Sequence, residues 1–337
     1  MQVSIIGTNG FLSTAIAQHC NAKKWQLDMY GLEDPIGHAY DHFFKINLLE
    51  SQIDYTQLSK SDIIIYASGA GIQNNLNESA YLIYALNVTA PINICNGLRI
   101  NNYKGIFISF GSYFELGQTT ERHAFTEHEV LTSTFKAPND YTISKRMLSR
   151  FIDGYSHEFT HWHFYIPTIY GETENPTRLI PYTINSIRNC KPLNFTDGNQ
   201  VRSYIYVNEI PIIIEKAYEV SLPTGLYNIG GSDTLSVKEI VNLIRNLLDE
   251  EIPICHFGTV DRKDVSMKYL ELDGSKLYNA IGYKCSISMK DVILNINHYS
   301  NMFLKRMLYK SVPRRIKKVL KKVRAVAYPI VVDPEIF

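Results

Sequence analysis

The sequence predicts an α/β fold built on a doubly wound parallel sheet, on three observations. Short β-branched runs recur at Val3–Ile6, Leu27–Tyr30, Ile63–Tyr66, Ile106–Ser109 and Trp162–Ile166. Longer amphipathic segments such as Glu78–Arg99 and Tyr141–Phe159 separate them, and parallel strands need such crossover helices to join them. A glycine-punctuated turn, Gly7-Thr8-Asn9-Gly10, stands where the first strand must become the first helix.

Each element has its own reason. Val3–Ile6 is apolar and leads directly into the turn, with no basic or cleavable segment before it, so export by a signal peptide is not expected. Glycine at positions 7 and 10 permits a tight turn and lets backbone N–H groups approach a pyrophosphate, which then lies at the positive end of the helix opened by Phe11 and Leu12. Ile63–Tyr66 reads as a buried strand, followed by the small residues Ala67 and Ser68. Gly105–Ser112 reads as a fifth parallel strand that ends in hydroxyl residues, at the edge where such sheets bind ligands. After Gly171 the rhythm becomes less regular and is punctuated by Pro and Gly. The expected organisation is a dinucleotide-binding domain over residues 1–171, to which some later segments return, a smaller α/β substrate lobe over 172–300, and a basic tail over 301–337.

Composition narrows the function classes. The chain has 337 residues, 45% hydrophobic and 20% charged, and a net charge of +1, the profile of a globular protein rather than a disordered one. The charge is uneven: from Lys305 onward ten basic residues face only Asp333 and Glu335, which leaves the body acidic. Nucleic acid is therefore not an expected partner. Five dispersed cysteines with no CxxC pair argue against a disulfide framework or a zinc site, and no run approaches the about 20 apolar residues of a spanning helix. A cytoplasmic protein without a metal is expected.

Tyr141-Thr142-Ile143-Ser144-Lys145 places a phenol and an ammonium four residues apart, on one face of a helix. A nearby cation stabilises a phenolate, so the pair can move a proton at a hydroxyl or carbonyl. Together with the strand ending at Ser112, this set resembles the extended short-chain dehydrogenase/reductases of the NAD-dependent epimerase/dehydratase family, which have a Rossmann-type fold. The turn Gly7–Ser13 is similar to the family's GxxGxxG, with Ser13 for the third glycine. Asn47-Leu48 occupies the place of an Asp-Leu adenine contact, and Asp62–Gly69 resembles the fourth strand and its cofactor-side loop. Pro167-Thr168-Ile169-Tyr170-Gly171 is similar to the NxYG turn, and Gly198–Glu209 to the segment whose arginine binds sugar-nucleotide phosphates.

The resemblance implies Ser112, Tyr141 and Lys145 as the catalytic set, with Ser109 as the alternative serine. It implies a cofactor site of Gly7, Asn9, Gly10, Phe11, Leu12, Asn47, Leu48, Ala67, Ser68, Lys145 and Thr168. Arg202 and Arg262 are the implied grips for the diphosphate of a sugar nucleotide. At the end of the second strand Gly31 stands where an acidic residue commonly holds the ribose of NAD, so NADP and NAD both stay open. Tyr113-Phe114 replaces the acidic pair of the 4,6-dehydratases, which disfavours dehydration. Tyr141–Arg146, Phe257-Gly258, Arg262, Met267, Lys276-Leu277 and Gly282 are similar to a sugar-nucleotide 4-ketoreductase. Reduction of a 4-keto-deoxyhexose for a surface polysaccharide is thus the first expectation and 4-epimerisation the second. A catalytically silent nucleotide-binding relative is the third.

The histidines, His157, His161 and His163 among them, lack metal-ligand spacing and are expected at the surface or in packing. In the tail, Ile316, Val319, Leu320 and Val323 recur at helical spacing among basic residues. That pattern suits docking on the acidic body or on a second subunit, or peripheral contact with anionic lipid at the inner face of the membrane. A homodimer is the expected assembly.

Overall fold

The computed structural model describes residues 1–72, 77–155, 158–248, 254–262 and 266–296. The expected tail helix lies outside them, as do His157 and the pair Lys263-Asp264.

Strands β1 (Gln2–Ile6), β2 (Gln26–Gly31), β3 (His42–Lys45), β4 (Ile63–Tyr66) and β5 (Ile106–Ser112) form the large sheet with Thr160–Ile166 and Gly225–Asn228. Its seven strands are all parallel, in the spatial order Gly225–Asn228, Thr160–Ile166, β5, β4, β1, β2, β3. The chain starts in the centre at β1, winds outward through β2 and β3, then returns to β4 and winds the other way. The reversal beside β1 leaves a crevice at the carboxyl ends of β1 and β4, where doubly wound sheets bind ligands. Both faces of the sheet are covered. Helix α1 (Phe11–Ala22) and Glu209–Glu219 pack on the side of Ile5, Met29 and Phe164. Ala90–Ile100 packs on the side of Ile6, Ile64 and Phe107.

A second sheet sets the substrate side. Val201–Tyr206 runs antiparallel to Asp233–Ser236 and parallel to both Tyr269–Leu272 and Thr168–Tyr170. Tyr269–Leu272 in turn pairs with Ala124–Phe125. Ser236 begins the next helix: its hydroxyl accepts the Glu239 N–H at 3.2 Å while the Glu239 carboxylate accepts the Ser236 N–H at 2.7 Å, the reciprocal capping pattern.

Two local departures from the sequence reading matter. The amphipathic segment Glu78–Arg99 is not one α-helix, because Ala80–Tyr84 and Ala90–Ile100 are joined by a π-helical turn over Ala85–Thr89. The expected helix Tyr141–Phe159 runs from Asp140 to Gly154.

Candidate active site

The cofactor side is built from backbone. Gly7 has φ 114° and Asn9 φ 58°. A Cβ on Gly7 would lie 2.7 Å from Ser68 Oγ and 2.8 Å from Ser68 N, so only glycine lets β1 close on the loop after β4. The Gly7 N–H donates to the Tyr30 carbonyl at 2.8 Å and the Ala67 N–H to the Ile6 carbonyl at 2.8 Å. The carboxyl ends of β2, β1 and β4 are thereby gathered side by side. Gly10 is the N-cap of α1 and supplies no capping side chain, and the first turn carries no acid. That positive helix end, beside a cradle that a Cβ would fill, fits the pyrophosphate of a dinucleotide.

Not every expected cofactor residue faces this crevice with its side chain. Asn9 donates to the Asp34 carbonyl at 3.0 Å and accepts the Ile36 N–H at 2.8 Å, so its amide is spent on folding the loop after β2. Leu12 and Leu48 pack into the apolar clusters on opposite faces of the sheet. Asn47 lies just beyond β3 and accepts the Leu49 N–H at 3.1 Å. The ring of Phe11 reaches Gly171, whose Cβ would lie 3.3 Å from it. A Cβ on Gly31 would lie 2.6 Å from Thr8 Oγ1, so Thr8 fills the place an acidic side chain would need.

The expected catalytic set comes together from two elements. Ser112 ends β5 and is buried at 4% exposure. Asn139 caps the helix Asp140–Gly154 by accepting the Thr142 N–H at 2.9 Å, which places Tyr141 in the first turn and Lys145 one turn on. The Lys145 ammonium lies 5.8 Å from the Tyr141 ring centroid and donates to the Phe110 carbonyl at 2.8 Å. Asn87, in the π-helical turn, anchors the same helix: its Nδ2 donates to Ser144 Oγ at 3.0 Å and to the Ala70 carbonyl at 2.9 Å. An extra residue in a helical turn re-aims the side chains around it.

Burial pushes the Tyr141 phenol up to about 12, and the Glu115 and Tyr113 side chains add to the rise. The Ser112 hydroxyl and the charge of Arg178 work in the opposite direction. Burial pulls the Lys145 ammonium down, and Glu115 opposes it. Tyr141 is therefore protonated near neutral pH, with the Ser112 hydroxyl and the Arg178 charge favouring its phenolate and Glu115 opposing it.

Arg178 and Glu115 are the residues beside this set that sequence reasoning did not single out. Arg178 precedes the helix Leu179–Arg188, and its Nε donates to Glu174 Oε1 at 2.9 Å. Its signal is a cation at the start of an amphipathic helix soon after the Tyr170-Gly171 turn. Arg202 is buried at 5% exposure on Val201–Tyr206 and donates to the Val201 carbonyl at 2.8 Å. The charges of Arg202 and Arg178 both act on the Tyr204 phenol, as do Glu174 and Tyr113. Arg262 is exposed, beyond the strand Cys255–His256.

Tyr113 and Phe114 define what the site lacks. The Tyr113 hydroxyl is bonded to the Thr168 hydroxyl, and the Phe114 ring meets Tyr141 edge-on at 6.0 Å. Neither can give or take a proton as a carboxyl would. Ser109 is fully buried and bridges His161 Nε2 and His163 Nδ1, at 2.8 Å each, so those two histidines are packing residues of the interior.

A parallel sheet with a glycine cradle at its carboxyl edge and a Ser/Tyr/Lys set beside it defines a short-chain dehydrogenase/reductase of the extended type. The model of the NAD dependent epimerase/dehydratase family matches residues 3–230, and the chain belongs to that family of enzymes. Two relatives are similar in part. The probable dTDP-glucose 4,6-dehydratase of Sinorhizobium fredii is 31% identical over 34% of this chain and 35% of its own length. The CDP-abequose synthase of Salmonella muenchen is 24% identical over 28% of this chain and 33% of its own. The chain thus spans about a third of each of these two relatives. Among solved structures, the Thermus thermophilus UDP-glucose 4-epimerase in complex with NAD superposes with a TM-score of 0.72 at 16% identity, over 89% of this chain and 99% of that one.

Proposed function

We propose that the protein is a nucleotide-sugar 4-ketoreductase, acting on a 4-keto-deoxyhexose destined for a surface polysaccharide. One observation carries the reading: Ser112, Tyr141 and Lys145 converge while Tyr113 and Phe114 occupy the place of a dehydratase's acidic pair. The partial similarity to a CDP-abequose synthase supports the direction of the chemistry.

NADP or NAD would be held by the Gly7–Gly10 turn, the start of α1, Ala67, Ser68 and Lys145, and when bound it supplies the hydride. The residues of the chain do the rest. Ser112 bonds the C4 oxygen and orients it. Tyr141 delivers its phenolic proton to that oxygen, and the field of Arg178 offsets the phenolate left behind. Lys145 contributes the second positive charge. Arg202 and Arg178 grip the diphosphate, with Arg262 a further candidate, because a guanidinium binds phosphate bidentately.

The likeness to a 4-epimerase structure keeps 4-epimerisation as the second reading. The same three residues would then first take and later return the proton. Incubation with 4-keto sugar nucleotides and NADPH or NADH, against sugar nucleotides alone, separates the two. The proposed assembly is a homodimer. Ile143 and Met147 are 41% and 48% exposed one turn apart on Asp140–Gly154, and Tyr81 is 73% exposed on the adjoining helix. A second copy of the chain would cover this patch.

A further inference from the structure

Behind the catalytic set lies a polar cluster that the proposed proton transfer does not use. Glu115 is fully buried in the turn Tyr113–Leu116 that follows β5. Its Oε1 accepts the Ser112 N–H at 2.8 Å and its Oε2 accepts the Ser149 hydroxyl at 2.6 Å. Ser149 also meets His163 Nε2 at 3.0 Å, which continues the cluster through Ser109 to His161. Room for the carboxylate depends on Gly111, since a Cβ there would lie 2.7 Å from Glu115 Oε1 and 2.6 Å from His163 Nε2. A carboxylate with no exposure is costly unless opposite charge and hydrogen bonds repay its lost solvation. Both are present. Arg146 donates from Nε to the Glu115 carbonyl at 2.6 Å and from Nη2 to the Leu116 carbonyl at 3.0 Å, and the Lys145 ammonium interacts with the Glu115 carboxylate.

We infer that Glu115 is a positioning residue, whose buried carboxylate keeps Lys145 charged and holds the Ser112 backbone in place from behind the site. The inference rests on the reading of Ser112, Tyr141 and Lys145 as the working set. Its logic is electrostatic: an anion in the low-dielectric interior raises the pKa of each group facing it. Those groups are Lys145, Arg146 and Tyr141 on the helix Asp140–Gly154 and Tyr165 on the strand Thr160–Ile166, where His163 also lies, bonded to Ser149. Burial and the Lys145 charge hold His163 down at about 3, so it stays neutral and does not titrate with the site. Removing the anion lowers the pKa of Lys145 and of Tyr141. Deprotonation of either ends ketoreduction, and loss of the Lys145 charge ends epimerisation too, so the alkaline limb of activity moves toward lower pH under both readings.

The test is Glu115→Gln, an isosteric change that leaves an oxygen for the Ser112 N–H. Its direct readout is the side-chain NMR titration of Lys145 in lysine-labelled protein, assigned with Lys145→Met, which needs no substrate. The expected result is a fall of about one pH unit or more, with the alkaline limb of kcat/KM moving the same way. An unmoved Lys145 titration overturns the inference. If Glu115→Gln does not fold, the reciprocal measurement decides. In glutamate-labelled Lys145→Met protein the Glu115 carboxyl must titrate at higher pH than in wild type, and an unchanged titration overturns the inference. Inactivity of the wild type toward every 4-keto sugar nucleotide and sugar nucleotide would instead reject the proposed function, with the titrations still deciding the role of Glu115.

Discussion

Tyr141 is the proposed proton donor because its surroundings keep it protonated. Burial pushes it up to about 12 while the neighbouring Ser112 hydroxyl works the other way, so near neutral pH it is a donor in waiting. Tyr141→Phe removes only that hydroxyl. Turnover is expected to fall on the order of 10²–10⁴-fold, with the far-UV spectrum and the unfolding midpoint little changed. Near-normal turnover of a folded Tyr141→Phe protein would refute the assignment. At this scale the sequence was most informative where chemistry follows spacing: the Tyr141–Lys145 interval and the strand ending at Ser112 are readable without coordinates. Glu115 and Arg178 were not, because what matters is that one is buried against Ser112 N–H and Ser149 and that the field of the other reaches Tyr141. A lone acid inside Tyr113-Phe114-Glu115-Leu116 was the available sign. Asn9 shows the opposite error of detail, since its place in the turn is legible but the use of its amide by the Asp34–Ile36 loop is not.

Among the elements, the central strands β1, β4 and β5 were legible as apolar runs because they are buried on both faces. Strand β3 was not: His42 and Lys45 are exposed and only Phe43 and Phe44 are partly buried, the pattern of a short edge strand. The π-helical turn at Ala85–Thr89 was also hidden, because the apolar spacing is that of a plain helix and the cause is the buried amide of Asn87. The packing of β5 against Thr160–Ile166 allows a test at this scale. Gly111→Ala puts a Cβ 2.6 Å from both His163 Nε2 and Tyr165 Cδ1. Overpacking of that kind costs about 1–3 kcal/mol, to be read as a lower denaturant midpoint at unchanged m-value. A midpoint equal to that of the wild type would show that β5 and its neighbour are not packed as described.

For the whole molecule, the double winding gathers a backbone cradle at the carboxyl edge of the large sheet, while the second sheet carries Arg202 and the helix after Arg178 follows the Tyr170-Gly171 turn. A dinucleotide and an anionic, sugar-bearing ligand are proposed to share that side. The patch of Tyr81, Ile143 and Met147 is the face by which two such molecules are proposed to pair. A buried charge at a dimer interface is strongly disfavoured, so Ile143→Glu is expected to turn a dimer into a monomer by light scattering. A wild-type protein that is already monomeric would reject the pairing. The account stands or falls on the direction of the chemistry. The most direct measurement adds a 4-keto-6-deoxyhexose nucleotide and NADPH or NADH to the purified protein, then follows cofactor absorbance and product together. The account predicts one reduced cofactor consumed for each hydroxy-sugar formed, and none consumed by Tyr141→Phe. Interconversion of sugar nucleotides with no reduced cofactor spent would contradict it.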